Sequence, residues 1–310
     1  MTGRRTYVVA CLAGHGIGPE ITAAASRALA GLAREHGFAI EELHPPFDTE
    51  ALTRSGHPLP AATRQATSSA DAVLVAGDAA PALAGLRAAL DLGTRVTRVL
   101  DDTGEATAFA PLHDGAVDWT LDRAFATARN RAGRLTSVGV SEAWTARVDR
   151  DADRHPGVDV EHVALPEALH RLAAGSTGVL VAEGVLGDAL AEAPRLGGRR
   201  RLVASAYLSP TGPSLFGPAQ GTASDLAGHG VADPSPMLLA TALLLSEGLG
   251  RIAAGEALEG SLTAALQASR RLSDVAGPGV SATTREFVDA VLGLLRSARR
   301  DTEFALGVGP

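Results

Sequence analysis

The chain has 310 residues, a formal net charge of -7 and 45% hydrophobic residues. That balance suits about two globular domains and argues against general nucleic-acid binding. No apolar run reaches the roughly 20 residues of a membrane span, and the N-terminal apolar stretch is too short for a secretory signal.

The single cysteine, Cys11, excludes an internal disulfide, which points to a cytoplasmic protein. All 28 basic residues are arginine. No lysine can therefore act as a base. The only tyrosines are Tyr7 and Tyr207.

Tyr7 to Leu12 reads as a buried strand, followed by a glycine-rich turn, AGHGIGPEI, into a helix from about Gly18 to His36. Pro19 and Glu20 suit its first turn, because proline lacks the orphan N–H and a carboxylate complements the helix dipole. Residues 38 to 44 alternate as a second strand, 55 to 60 turn, 61 to 69 form a short helix, and Asp71 to Gly77 a buried strand. Strands alternating with helices predict a parallel α/β sheet. Residues 83 to 98 carry Arg87, Arg95 and Arg98, each with the alternative of a solvated arginine on a surface helix. Residues 101 to 116 read as a polar loop, with the alternative that its His113 and Asp114 form a site, before a helix at about 117 to 131. Asp188 and Glu192 are four apart, so a helix puts both carboxylates on one face. The alternative is two solvated acids at a helix end. Arg199 to Arg201 reads as a solvated basic run. The last third is helical, at 236 to 250, 257 to 271 and 283 to 300.

Residues 215 to 234, LFGPAQGTASDLAGHGVADP, are the most informative stretch. Gly221, Gly228 and Gly230 allow close backbone approach and positive φ, while Thr222 and Asp225 bring a hydroxyl and a carboxylate to a loop before a helix. Such a loop suits a nucleotide, whose ribose takes a carboxylate acceptor and whose phosphates take backbone N–H groups. A glycine-rich turn is more often only a turn. The order of residues resembles the signature of the isocitrate and isopropylmalate dehydrogenases, the β-decarboxylating dehydrogenases: Leu215, Phe216, Pro218, Gly221, Thr222, Ala223, Asp225, Ala227, Gly228, Gly230, Ala232 and Pro234 all fit it. Gly217, Gln220, Ser224 and Asp233 depart from it. The turn at Gly14 to Glu20 is similar to the family's opening, with His15 in place of aspartate. Further matches run in family order as far as Ala290.

The resemblance implies an α/β, isocitrate/isopropylmalate dehydrogenase-like fold in two domains. The first is discontinuous, about 1 to 92 plus 207 to 310, and the second, about 93 to 206, carries the contacts of a homodimer. It also implies a divalent metal held by three aspartates, a catalytic lysine, a tyrosine on a glycine-rich arm, carboxylate-binding arginines and NAD(P). Arg87 matches the first arginine and Asp188 a metal aspartate, with Glu192 in conservative form at another. Val140 stands at the lysine position and Pro166 at the third aspartate. Thr97 stands at the second arginine, Arg95 where the family has asparagine, and the tyrosine arm is missing.

The metal, acid–base and anchoring parts of the family's chemistry thus lose most of their residues. The expectation is a repurposed enzyme whose non-oxidative acid/base chemistry, such as isomerisation, acts on a less acidic substrate, a small molecule or a carrier-tethered acyl chain. Its catalytic residues would be Asp188, Glu192, Arg87 and His15, in a cleft between the domains. Two neighbouring carboxylates can raise the pKa of one of them. Weak NAD binding would use Gln220, Gly221, Thr222, Ala223 and Asp225, and any metal at Asp188 and Glu192 would be weakly held. Two alternatives stand: an NAD-dependent dehydrogenase of altered substrate, and a non-catalytic partner protein.

Overall fold

The first apolar run becomes a strand because its residues are buried on both faces, as central strands of parallel sheets require. In the computed structural model, which describes residues 4–76, 80–101, 104–175, 178–196, 201–276 and 283–305, that strand is β1 (Thr6–Leu12). It is followed by α1 (Gly18–His36), β2 (Ala39–Leu43), α2 (Asp48–Ser55), α3 (Ala61–Ser69), β3 (Ala72–Val75) and α4 (Ala80–Ala89). Next come β4 (Thr94–Leu100), β5 (Glu105–Pro111), α5 (Val117–Arg129), β6 (Arg134–Val138) and α6 (Glu142–Ala152). Then β7 (Asp159–Val163), α7 (Leu165–Ala174), β8 (Gly178–Ala182), α8 (Leu186–Leu196) and β9 (Leu202–Leu208) follow. The chain finishes with β10 (Ser214–Pro218), α9 (Ser235–Leu243), α10 (Ile252–Ala276) and α11 (Thr284–Ala305). Gly77, Arg199 and Arg200 lie outside the described residues.

The chain divides into two units, Met1–Leu90 with Pro213–Pro310, and Asp91–Gly212. In the first, the strand order is β2-β1-β3-β10, all parallel. Helix α1 starts with Pro19 and Glu20 in its first turn and stops at Gly37, whose φ of 72° lets its N–H reach Ala33 O. Its buried face, with Ile21, Leu29 and Leu32, packs against α9 and α11. Helix α9 has no polar face, because every one of its residues is buried. It is the core element of this unit, and each buried leucine contributes about 1.5–3 kcal/mol. Cys11 is 1% exposed in β1. Burial, with the Glu42 carboxylate adding to it, pushes its thiol up to about 12.

In the second unit the order is β9-β4-β5-β8-β6-β7. Here the expectation of an all-parallel sheet fails. Strand β4 is antiparallel to both β5 and β9, while β5, β8, β6 and β7 are parallel. The reason is the short link from Leu100 to Glu105, which has no room for a helical crossover. Residues 105 to 111, expected as loop, are thus the buried strand β5.

Arg95 and Arg98 sit on β4, not on a helix. Arg98 is 2% exposed; it pairs with Glu105 and donates to Thr107 Oγ1 at 2.9 Å. It is scaffold. The expectation of a solvated run also fails at Arg201, whose side chain is 2% exposed. Its Nε meets Asp101 Oδ2 at 3.1 Å, and its Nη2 donates to Ala173 O at 2.6 Å. Among the described residues, no helix is long and apolar enough to cross a membrane.

Candidate active site

The C-terminal ends of β5, β6 and β8 open into a cleft of about 780 Å³ within the second unit. The ends of parallel strands are where α/β sheets place ligands. Its polar lining includes Arg95, His113, Asp114, Ser141, Glu183 and Asp188, set among apolar groups that include Val140, Trp144 and Val185. Asp188 lies in the first turn of α8, 75% exposed, with Arg95 Nη1 2.5 Å from its Oδ1. Glu192 is also exposed on α8. Asp188 thus has a cationic partner in Arg95. Arg147 is paired with Asp118.

Glu183 organises the floor. Its carboxylate accepts from Val140 N–H at 2.8 Å, Ser141 N–H at 3.2 Å and the Ser141 hydroxyl at 2.5 Å. Ser141 Oγ in turn caps α6 by accepting from Trp144 N–H. Burial opposes ionisation of Glu183, but these hydrogen bonds outweigh it and hold its carboxyl below the usual range. Trp144 is buried, and its indole N–H donates to Ser137 Oγ at 3.0 Å. At the rim, Val140 and Val185 are 80% and 82% exposed.

A second cluster lies in the first unit. Ile17 N–H donates to Thr222 O at 2.9 Å, which ties the turn before α1 to the loop after β10. Gly16 makes this possible, since a Cβ there would lie 2.1 Å from Thr222 O. Ala223 has a left-handed φ of 36°, and Asp225 follows, exposed, in a short 3-10 turn. Gln220 Nε2 is buried with no hydrogen-bond partner. His15 Nδ1 is paired with the Asp48 carboxylate. Gly217 leaves no room for a side chain, because a Cβ would meet Val75 O at 2.5 Å. The Asp233 carboxylate accepts from Ser235 N–H at 2.9 Å and so supports the start of α9. Arg87 lies half-buried on α4 of this unit, whereas Asp188 and Glu192 belong to the other.

The sequence profile described as isocitrate/isopropylmalate dehydrogenase matches residues 92–291. The chain belongs to the isocitrate/isopropylmalate dehydrogenase family. It is 32% identical to a 3-isopropylmalate dehydrogenase of Prochlorococcus marinus, over 89% of this chain and 95% of that one. A 3-isopropylmalate dehydrogenase of Streptococcus pneumoniae is 28% identical, over 93% and 99%. Among solved structures, an isocitrate dehydrogenase from Methylococcus capsulatus has a TM-score of 0.75 at 19% identity, covering 94% of this chain and 99% of that chain. A β-decarboxylating dehydrogenase from Thermococcus kodakarensis gives 0.73 at 22% identity, covering 94% and 96%. At those identities the structures speak to the fold alone.

Within this family frame, the donor set does not fit the divalent metal that the resemblance implies. One of the two expected carboxylates, Asp188, is occupied by a guanidinium, and Pro166, in the first turn of α7, brings no carboxylate at all. A hard cation takes six or more oxygen ligands. The 220–225 loop does fit a dinucleotide, with the orphaned Gln220 donor, the backbone of Gly221 to Ala223 and the exposed Asp225 as the groups that would hold it. Sequence reasoning missed Glu183 and Trp144, whose roles rest on partners supplied by the fold. The small residue pair Ser137 and Ser141 was their one visible trace.

Proposed function

We propose that this member of the family no longer performs metal-assisted oxidative decarboxylation and instead catalyses non-oxidative proton transfer, such as isomerisation, on an apolar-bodied organic acid. The observation that carries this reading is Val140, 80% exposed at the cleft rim at the position where the resemblance implies a lysine. The chain contains no lysine to replace it, and its two tyrosines, Tyr7 and Tyr207, are 3% and 8% exposed. General acid–base groups each supply about 10²–10⁴-fold in rate, so losing both removes most of the family's proton-transfer power. His113 and the 75% exposed Asp188, which keeps open sides beside Arg95, are the cleft groups suited to moving a proton, since the Glu183 carboxylate is held by three donors from Val140 and Ser141. Histidine is the side-chain type best matched to proton transfer near neutrality.

The test is solvent-deuterium incorporation into alkyl-substituted malates and their isomers, followed by NMR without NAD. Exchange that falls in Asp188→Asn supports the reading. Turnover that requires NAD refutes it.

A second reading, an NAD-dependent hydroxyacid dehydrogenase of altered substrate, draws on the intact 220–225 loop. If NAD binds there it supplies a hydride acceptor, with Asp225 orienting its ribose. The family resemblance supports a homodimer joined through the second unit, and light scattering at micromolar concentration would distinguish it from a monomer.

A further inference from the structure

Three small contacts fix the surroundings of Arg95. Gly187 has no Cβ, and one built there would lie 2.1 Å from Ala110 Cβ, so the first turn of α8 rests directly on β5. Ala110 is the residue opposite Arg95 across the β4–β5 ladder. That close approach sets Asp188, next after Gly187, beside the Arg95 guanidinium at 2.5 Å. On the other side Tyr207, opposite Arg95 on β9, has its ring centroid 5.7 Å from the guanidinium carbon. The Arg95 side chain is 16% exposed and lines the cleft.

We infer that Arg95 is the built-in cation of this cleft, standing in for a divalent metal, so that the cleft binds an organic anion without Mg²⁺ or Mn²⁺. An arginine guanidinium keeps its charge at any physiological pH and its planar fork suits carboxylates and oxyanions. Of its five N–H donors, one is committed to Asp188, and its Nε is buried with no hydrogen-bond partner. A divalent ion at Asp188 would have to share that oxygen with a like-charged neighbour. The anion's body would lie against Val117, Val140, Val185 and Leu186, which line the same cleft. This deepens the non-oxidative reading, because negative charge developing on a substrate oxygen would be met by Arg95. The metal measurement below needs no turnover, so it fails or succeeds independently of that reading.

Manganese alone is titrated into the purified chain and free Mn²⁺ is followed by its electron paramagnetic resonance signal. The wild type and Asp188→Asn should bind indistinguishably. Arg95→Asn and Arg95→Gln should bind Mn²⁺ at least about tenfold more tightly than wild type, and adding Asp188→Asn should remove the gain. Arg95→Gln keeps part of the side chain's length, and circular dichroism confirms that the variants are folded. Wild-type binding that Asp188→Asn abolishes overturns the proposal, and that comparison needs no Arg95 variant because Asp188 is exposed. Arg95 variants that bind no better than wild type overturn it as well.

Discussion

Arg201→Met removes one partner of a buried ion pair while keeping the side chain's apolar bulk. The Arg201 and Asp101 side chains are 2% and 4% exposed, and Arg201 also donates to Ala173 O and Pro194 O. Through these bonds the start of β9 is tied to the link after β4 and to helices α7 and α8. Removing one partner of a buried pair costs about 3–5 kcal/mol, mainly because the other charge is left buried. With an unfolding entropy of about 2.1 cal/mol/K per residue, a 310-residue chain melting as one unit should lose about 6 °C for 4 kcal/mol. If Asp91–Gly212 melts alone, the same loss is about 15 °C. Differential scanning calorimetry separates these cases. Asp101→Leu/Arg201→Met should recover much of the loss, because an apolar pair leaves no charge behind. A melting point within about 2 °C of wild type for Arg201→Met, under 2 kcal/mol on the same scale, would refute the argument and mean that water reaches Asp101.

Glu183→Gln should cost about 1–3 kcal/mol at neutral pH, since hydrogen bonds to a charged acceptor are lost or weakened. The folded-state pKa of Glu183 is lowered, so its ionised form stabilises the fold above about pH 4.3, the unfolded carboxyl's range. That contribution disappears as pH falls through the lower folded value. Urea unfolding at neutral pH and about pH 3 should therefore show the wild-type advantage shrinking in acid; an equal difference at both would contradict it. Gly16→Ala and Gly37→Ala both introduce a Cβ at positive φ, 62° and 72°, at a backbone cost of about 1–2 kcal/mol. Only Gly16 also has a carbonyl in the way, so its loss in thermal stability should be the larger. On cofactor, any dinucleotide binding should favour NAD over NADP, because Asp225 would accept a ribose hydroxyl and repel a 2′-phosphate. Calorimetry with NADP the tighter ligand would discard the role given to Asp225.

The family and the parallel half of the fold were legible because their signals are local. Gly16 occupies a backbone position that few other residues can take, Pro19 suits the first turn of a helix, and the apolar helix after Pro234 is continuous. The rest was set by contacts distant in sequence. EATAFAP carries small side chains without strong β-branching, so β5 became visible as a strand only through its pairing with β4 and β8. Arg95 and Arg98 follow a helix-like run of alanine and leucine, and their strand is established by β5 and β9 on its two sides. The same holds for Glu183, whose donors arrive from the β6–α6 turn, and for Arg201, whose acceptors lie on α7 and α8. At the site, the residues at the family's positions could be read one by one. The arginine that neutralises Asp188 could not, because it takes Gly187 lying on Ala110 to bring the pair together.

The proposed function requires that oxidative decarboxylation has been lost with the lysine, the tyrosine and the metal-binding set. The most direct measurement is NADH formation, read by absorbance, from 3-isopropylmalate with NAD and either Mg²⁺ or Mn²⁺. No turnover above the enzyme-free rate is expected, with the same result for isocitrate, tartrate and malate and for NADP. Steady NADH production from any of these substrates would contradict it.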